Sequence, residues 1–183
     1  MTHLFIDSNI YSTRPDSTGR LEKEMKVYDI LERLGIKYER LDHDVTPSID
    51  SCFEVEEKLK IEICKNLFLC NTQNTNFYLL MMPGNKKYKT AELSRQIQTS
   101  RLSFAASKYM EELLGITPGS VSVMGLMNDH EHRVQLLIDR EILSNEFVGC
   151  HPCINTTSMK IRTIDLLEKF LPYTQHEPII VDL

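Results

Sequence analysis

Lys65 and Asn66 open the apolar run Lys65–Cys70, which has the composition of a strand. Apolar neighbours would hold the lysine stem, so that its ammonium points out of one end of a sheet. A lysine held in this way is a pre-positioned positive charge for a carbonyl or an anionic group. Asn66 alternates to the other side of the strand, and we expect it to bind through its backbone rather than its amide.

A second polar group, Gly149–Pro152, comes much later, in a β-rich stretch. Gly149 lets a ligand approach the backbone closely, and Pro152 fixes the turn that follows. His151 between them can orient an ester or a water molecule by hydrogen bonding. Both groups also have an ordinary explanation, because most lysines at strand starts are solvated and most single histidines are packed or surface residues.

Between these groups lies the turn Pro118-Gly119-Ser120. Its backbone N–H groups can hold an oxyanion or a phosphate. An ordinary connection into a strand explains the same residues equally well.

The segment Cys150-His-Pro-Cys153 has the C-x-x-C spacing of thiol–disulfide exchange enzymes. That chemistry usually places the first cysteine at the N-terminus of a helix, where its pKa is lowered. Here the following residues are β-formers and turn residues, which disfavours the redox interpretation. No second C-x-x-C or paired histidine cluster completes four zinc ligands, so we expect no metal.

A short basic run, Lys86-Lys87-Tyr88-Lys89, stands out in an acidic chain. Such a run is usually a solvated turn. It could also contact a phosphate locally, with Lys160 and Arg162 as partners.

Composition excludes several classes of protein. The chain has 183 residues, a net charge of −5 and a pI of about 5.7, which argues against a broad basic surface for duplex DNA. No apolar stretch is long enough to cross a bilayer, and the N-terminus does not resemble a signal peptide. Five cysteines without a disulfide framework are typical of a reducing cytoplasm. We expect an extension over residues 1–19 and a single domain over residues 20–183.

The elements that must position these residues alternate irregularly between strands and helices. Helices are predicted from Arg20 to Gly35, around Glu54–Glu57 with Asp50 or Ser51 as cap, from a Thr90 cap to Ile97, over Ser107–Leu114, and from a Thr163 cap to Leu171, ending at Pro172. Strands are predicted over Ile36–Leu41 (ended by Thr46-Pro47), Ile63–Cys70 and Phe77–Met82 as a hairpin, Val121–Val123, Val134–Ile138, near Phe147, over Thr157–Ile161 and, as an edge strand, over Pro178–Val181. This pattern predicts an α+β fold with a mixed, curled, barrel-like sheet flanked by helices.

The three polar segments, taken in this order, resemble the freestanding prolyl-tRNA editing domains of the YbaK/ProX type. The resemblance covers roughly residues 22 to 172. The variant that begins Lys-Asn-Leu-Phe-Leu is most similar to the alanyl-tRNA(Pro) deacylases. The resemblance implies the YbaK-like fold and a trans-editing hydrolase without a cofactor, acting on the acceptor end of a mischarged tRNA. It also implies prolyl-tRNA synthetase as a candidate partner.

The resemblance also implies roles for residues. Lys65 matches the catalytically important lysine, and Gly149, His151 and Pro152 match the segment that lines the aminoacyl pocket. Gly119 and Ser120 match the loop near the 3′-terminal adenosine. Catalysis is expected to come from positioning, with the ribose 2′-hydroxyl of the substrate assisting the attacking water.

Three alternatives stay open at this point. Related members remove cysteine rather than alanine. A non-catalytic regulator could bind a charged tRNA in the same pocket. The C-x-x-C segment could serve a thiol oxidoreductase.

Overall fold

The computed structural model describes residues 5–45 and 49–183, and in the helix that begins at Ile49 it describes side chains from Phe53 onward. The predicted break at Thr46-Pro47 lies outside the described residues. No described helix is long and apolar enough to span a membrane.

The described residues form short helices and strands. The helices are α1 (Glu22–Arg33), α2 (Ile49–Leu59), α3 (Thr90–Gln96), α4 (Ser107–Leu114), a 3₁₀ helix (Val123–Asn128), α5 (Arg140–Leu143), α6 (Thr163–Asp165), a π-helical segment (Leu166–Phe170) and α7 (Leu171–Thr174). The strands are β1 (Tyr38–Asp42), β2 (Cys64–Cys70), β3 (Phe77–Pro83), β4 (Ser103–Phe104), β5 (Val134–Asp139), β6 (Phe147–Cys150), β7 (Thr157–Arg162) and β8 (Ile179–Val181).

The strands form two sheets. The larger has the order β4-β2-β3-β5-β8, with β2 antiparallel to both β4 and β3, while β3, β5 and β8 run parallel. The smaller has the antiparallel order β1-β7-β6. A bridge between Ile63 and Gly149 joins the entry to β2 with β6. The predicted α+β class and mixed pairing are confirmed, but the sheets do not close into a barrel.

Apolar side chains cover both faces of the larger sheet. On one face Phe68 of β2 and Leu79 of β3 pack with α1, α4 and the smaller sheet in the main core. On the other face Leu69 and Leu80 pack with Leu93 of α3. Because both faces are covered, β3 is buried along its whole length and reads as a continuous apolar run.

Four local predictions were wrong. The expected strand at Val121–Val123 is absent, and a 3₁₀ helix begins at Val123, where the Ser122 hydroxyl accepts the Met124 N–H. Asp50 and Ser51 lie within α2, and Thr90 and Thr163 are the first residues of α3 and α6, so none of them is a cap.

The last helix was predicted to end at Pro172, and this was also wrong. Helical backbone runs through Pro172 to Thr174. A π-helical turn over Leu166–Phe170 precedes the proline, and this wider turn accommodates a residue that has no N–H to donate.

The segment over residues 5–20 packs along the outer edge of β1. Ile6 and Tyr11 form bridges with His43 and Arg40. At its end, Arg20 binds Asp42 of β1 at 2.6 Å. The part of the predicted N-terminal extension that the structure describes therefore lies on the smaller sheet.

Candidate active site

Strand β2 sends Lys65 and Asn66 to opposite faces of the larger sheet. Cys64 and Phe68 belong to the main core, whereas Leu69 belongs to the second core. Since side chains alternate along a strand, Asn66 shares a face with Cys64, and Lys65 shares a face with Leu69. The two neighbouring candidates therefore meet different surroundings.

A cavity of about 360 Å³ lies on the Asn66 side of β2. It brings together three of the predicted site residues, Asn66, Gly119 and His151. Its wall consists of residues from β2, β4, α4, the 119–121 loop and the end of β6: Cys64, Asn66, Leu67, Phe68, Phe104, Ala105, Met110, Gly119, Val121 and His151.

Asn66 presents an unpaired oxygen in this wall. Its Nδ2 donates to the Cys64 carbonyl at 3.3 Å, which orients the amide. Exchanging the two amide atoms would set oxygen against oxygen, so Oδ1 is the atom without a partner among the described residues. A buried acceptor without a donor costs about 1–3 kcal/mol. Asn66 thus contributes to the cavity wall an amide whose buried oxygen has no donor among the described residues.

His151 is held as a neutral acceptor. Its Nδ1 lies 2.9 Å from the Thr157 carbonyl, and since a carbonyl only accepts, Nδ1 carries the hydrogen. Burial lowers the pKa of His151 below its usual 6.5. Nε2 is therefore unprotonated at neutral pH and can accept a hydrogen bond. The Ser122 hydroxyl donates to the His151 carbonyl at 2.5 Å and fixes the backbone behind the ring.

The loop over residues 117–121 separates two cavities. Gly119, which adopts φ of +86°, faces the cavity of His151 and Asn66. Ser120 is buried, and its N–H is used by the Thr117 carbonyl at 3.1 Å. Ser120 lines a second cavity, beside Arg20 and Asn155. The two predicted residues of this loop therefore face different spaces.

Lys65 lines a third cavity, of about 350 Å³, with Phe53, Glu56 and Glu62 among its neighbours. Its Nζ donates to the Lys86 carbonyl at 2.7 Å. Cys64 lines this cavity as well as that of His151, so the two spaces adjoin at the start of β2. The structure thus places the predicted lysine beside the cavity of the predicted histidine, on the other side of the strand.

Gly149 and Pro152 hold the frame around His151. A Cβ built on Gly149 would lie 2.8 Å from Ile61 Cδ1 and 3.6 Å from Ile63 Cα. The glycine therefore allows β6 to approach the entry to β2. Pro152 is buried directly after His151.

Three of the five basic residues proposed as phosphate contacts have acidic partners: Lys86, Lys89, which lies 3.4 Å from Glu92, and Lys160. Lys86 Nζ binds Asp139 at 3.0 Å and Glu141 at 2.6 Å, and its hydrogen bond to Glu141 raises the pKa of Lys86. Lys160 binds Glu39 at 3.1 Å. Lys87 and Arg162, in contrast, are exposed.

The C-x-x-C thiols are buried, at 4% exposure for Cys150 and 0% for Cys153. Burial raises the pKa of Cys150 and raises that of Cys153 to about 12. Cys150 ends a strand rather than beginning a helix. Thiol exchange requires a thiolate, so this environment opposes the redox alternative. No metal-binding group of three His, Cys, Asp or Glu occurs in the described ranges.

Sequence reasoning missed Phe104, Thr157 and Ser122. Phe104 lines the cavity from β4, a strand of two residues that is too short to give an alternating pattern. Thr157 orients His151 through a backbone carbonyl, which its side chain does not reveal. Ser122 lies two residues after Ser120 and was assigned to a strand, so its contact with the His151 backbone had no sequence signal.

Known proteins share the sequence pattern and the fold of this chain. The family model for the aminoacyl-tRNA editing domain matches residues 46–169. The prolyl-tRNA editing protein ProX of Acetoanaerobium sticklandii is 27% identical over 146 residues, which cover 80% of this chain and 89% of the relative. Prolyl-tRNA synthetase associated domain-containing protein 1 of Danio rerio is 29% identical over 163 residues, which cover 88% of this chain and 86% of the relative.

A solved structure described as a proposed trans-editing enzyme for prolyl tRNA synthetase has the same fold. It superposes with a TM-score of 0.64 at 18% identity, covering 89% of this chain and 97% of the other.

Proposed function

Since the chain belongs to the aminoacyl-tRNA editing domain family, we propose that it is a trans-editing hydrolase that removes alanine from mischarged tRNA(Pro). The relatives named for prolyl-tRNA editing support tRNA(Pro) as the substrate. The Lys-Asn-Leu-Phe-Leu segment supports alanine as the amino acid that is removed. The structural observation that carries the proposal is one cavity wall that contains both a neutral His151 and the amide of Asn66, whose buried oxygen has no donor among the described residues.

The cavity favours catalysis by positioning over a covalent mechanism. Burial raises the pKa of the Cys64 thiol in its wall to about 12, so that Cys64 stays protonated. The nearby Ser122 hydroxyl is used by the His151 carbonyl. Among the described residues that line the cavity, there is accordingly no activated nucleophile next to a base.

In the proposed complex, His151 Nε2 accepts a hydrogen bond from the ribose 2′-hydroxyl or from the attacking water. Asn66 Oδ1 accepts from the α-ammonium of the amino acid, which supplies the donor that this oxygen lacks in the free protein. The exposed backbone at Gly119 lies beside the ester. Holding the ester, the hydroxyl and the water together supplies the orientation on which such a reaction depends.

Lys65 is proposed to act from the adjoining cavity. The Lys86 carbonyl takes one of its three N–H donors. The other donors can reach a carbonyl or phosphate oxygen of a substrate that extends past Cys64. There the ammonium would stabilise negative charge on the substrate.

The need for such an enzyme is energetic. A synthetase pocket built for proline rejects a smaller side chain weakly, because each missing methylene changes binding by only about 1–3 kcal/mol. A small second cavity can reverse the preference, because it admits alanine and clashes with the proline ring. Overpacking costs about 1–3 kcal/mol, and here that cost falls on the correct product.

The deciding assay compares alanyl-, cysteinyl- and prolyl-tRNA(Pro) at equal concentration. We expect alanyl-tRNA(Pro) to be hydrolysed well above the other two. Faster hydrolysis of cysteinyl-tRNA(Pro) would show that the enzyme removes cysteine rather than alanine. Equal hydrolysis of prolyl-tRNA(Pro) would refute editing, since the enzyme would then destroy the correct product. Binding without hydrolysis of any of the three would identify a regulator.

The proposal also covers the surroundings of the site. Residues 20–183 form the editing domain, with residues 1–19 as an extension whose described part, residues 5–19, lies along β1, and the protein works in the cytoplasm where tRNA is charged. Prolyl-tRNA synthetase is its candidate protein partner, testable by co-purification of the two proteins with and without tRNA(Pro).

A further inference from the structure

Packing within the protein does not explain the exposed position of Phe104. It is 65% exposed, the most exposed of the large apolar side chains in the described residues. It also lines the cavity that contains His151 and Asn66. Phe68, in the wall of the same cavity, is 2% exposed. Cys64, Ala105 and Met110 of the same wall are also buried, whereas Gly119 is exposed like Phe104. The exposed ring therefore lies at the mouth of the cavity, on the side open to solvent.

The ring stands on a rigid support. Phe104 pairs with Leu69 in the β4–β2 ladder, and the next N–H, of Ala105, donates to the Phe68 carbonyl at 3.0 Å. Tyr88 packs against one side, with ring centroids 6.1 Å apart and planes tilted by 56°. The backbone and one side of the ring are therefore fixed, while most of its surface stays in water.

The chemistry of the proposed substrate fits this surface. The amino acid is esterified to the terminal ribose of a single-stranded end. The adenine is attached to that same ribose, so it must lie close to the aminoacyl ester in the cavity. Proteins that bind single strands stack unpaired bases on aromatic side chains fixed beside the groove. A carboxylate or a lysine in this place could hold a phosphate or a hydroxyl, whereas phenylalanine offers only a flat apolar face.

We infer that Phe104 is the stacking platform for the terminal adenine of the tRNA, and thus a substrate-positioning residue of the site. This inference rests on the proposed function, because it takes the aminoacyl ester to lie beside His151. The ring binds the base equally in the ground state and in the transition state. Its loss therefore raises KM and leaves kcat nearly unchanged.

The test uses the full chain and two alanylated RNA minihelices, one ending in adenosine and one ending in the same ribose without its base. We expect Phe104→Ala to raise KM about tenfold on the adenosine substrate, equivalent to about 1.4 kcal/mol. Phe104→Trp should stay within about threefold of the wild type, since it keeps a flat aromatic face. On the baseless substrate, wild type and Phe104→Ala should have the same KM.

Phe5→Ala is the matched control, because Phe5 is also exposed, at 59%, and is not among the residues of the three cavities above. An equal loss for Phe104→Ala on both substrates would overturn the inference and make the ring a plain part of the wall. An unchanged KM of Phe104→Ala on the adenosine-ended substrate would also overturn the inference, and the exposed ring would then be free to contact a protein.

Binding of the uncharged minihelices, followed by fluorescence anisotropy, separates this inference from the proposed function. The wild type could hydrolyse no ester but bind the adenine-ended RNA better than the baseless RNA, with Phe104→Ala removing that difference. This result would refute the editing activity but support the stacking role of Phe104. If the ester is hydrolysed but removing the base changes neither affinity nor KM, the result supports the editing activity and refutes the stacking role of Phe104.

Discussion

Replacing Asn66 by leucine should move stability and activity in opposite directions. Leucine has nearly the shape of asparagine but no polar atoms. The substitution removes an amide oxygen that has no donor among the described residues, together with the 3.3 Å hydrogen bond to the Cys64 carbonyl. A structural asparagine would not respond in this way, because its loss would cost stability.

The magnitude follows from these two contacts. Removing the unpaired oxygen recovers about 1–3 kcal/mol, and losing the hydrogen bond costs about 0.5–1.5 kcal/mol. The net free energy of unfolding should rise by about 1 kcal/mol, which raises Tm by about 2–4 °C for a chain of this size. If Oδ1 accepts from the α-ammonium, a charge-assisted hydrogen bond of about 1.5–3 kcal/mol is lost, and kcat/KM falls about ten- to hundredfold.

Asn71→Leu is the matched control at the end of the same strand. The Asn71 oxygen accepts the N–H groups of Thr75 at 2.9 Å and Asn76 at 3.1 Å, and its Nδ2 donates to Thr75 Oγ1 at 2.9 Å. All three hydrogen bonds would be lost, so Tm should fall by at least about 3 °C. Its kcat/KM, measured well below Tm, should match the wild type.

Thermal unfolding and deacylation of alanyl-tRNA(Pro) by the two variants decide between the explanations. A lower Tm for Asn66→Leu with unchanged kcat/KM would show that Asn66 is structural, and the assignment of its amide to the substrate would be wrong.

Three further predictions concern the other candidates. Lys65→Ala should lower kcat/KM about a hundredfold with a change in Tm of only a few degrees, while Lys37→Ala, which removes an exposed lysine outside the candidate sites, should leave kcat/KM unchanged. Full activity of a folded Lys65→Ala would refute its role. Replacing both Cys150 and Cys153 by alanine should lower Tm by a few degrees but keep kcat/KM within about twofold, and loss of all activity in the folded variant would point to a thiol mechanism. The wild-type kcat/KM, corrected for uncatalysed hydrolysis, should stay constant from about pH 7.5, where the α-amino group of the substrate is mostly protonated, down to about 6.5. It should decline only below that pH, because burial lowers the pKa of His151, and a His151→Gln variant with the same decline would assign it to another group.

The same shift at His151 has a consequence for stability. The unfolded chain binds a proton at this ring near pH 6.5, whereas the folded chain stays neutral to lower pH. The contribution of His151 to stability is therefore complete above pH 6.5 and is lost as the pH falls toward the lowered pKa of the folded state.

Local patterns predicted the elements with strong periodicity or a strong turn. The hairpin of β2 and β3 was predicted because two apolar runs flank a polar link, and α4 because Gly115, at φ of +62°, can end a helix. The editing-family resemblance was confirmed, since the family model spans most of the domain. Patterns could not show that Pro172 lies inside a helix, because proline usually ends a helix and the π-helical turn that precedes it here has no sequence pattern of its own.

The site was less accessible to sequence reasoning than the fold. Types and spacing selected Asn66, Gly119 and His151, and the structure brings these three to one cavity. Alternation along a strand also indicated that Asn66 and Lys65 face opposite sides. Sequence could not show which of the two sides contains His151, because that depends on how the smaller sheet meets the larger one.

The junction between the smaller and the larger sheet depends on Gly149 more than on any polar residue of the site. His151 follows β6 of the smaller sheet and Asn66 lies in β2 of the larger sheet, and the bridge between Gly149 and Ile63 joins the two. A methyl group on Gly149 would approach Ile61 Cδ1 to 2.8 Å, and relief of that contact would push β6 away from the entry to β2. His151 would then move relative to Asn66, and misplacement by about 1 Å can cost a hundredfold in rate. The glycine predicted as a ligand contact therefore acts here by allowing two backbones to approach, which makes the distance between histidine and amide a property of the sheet junction.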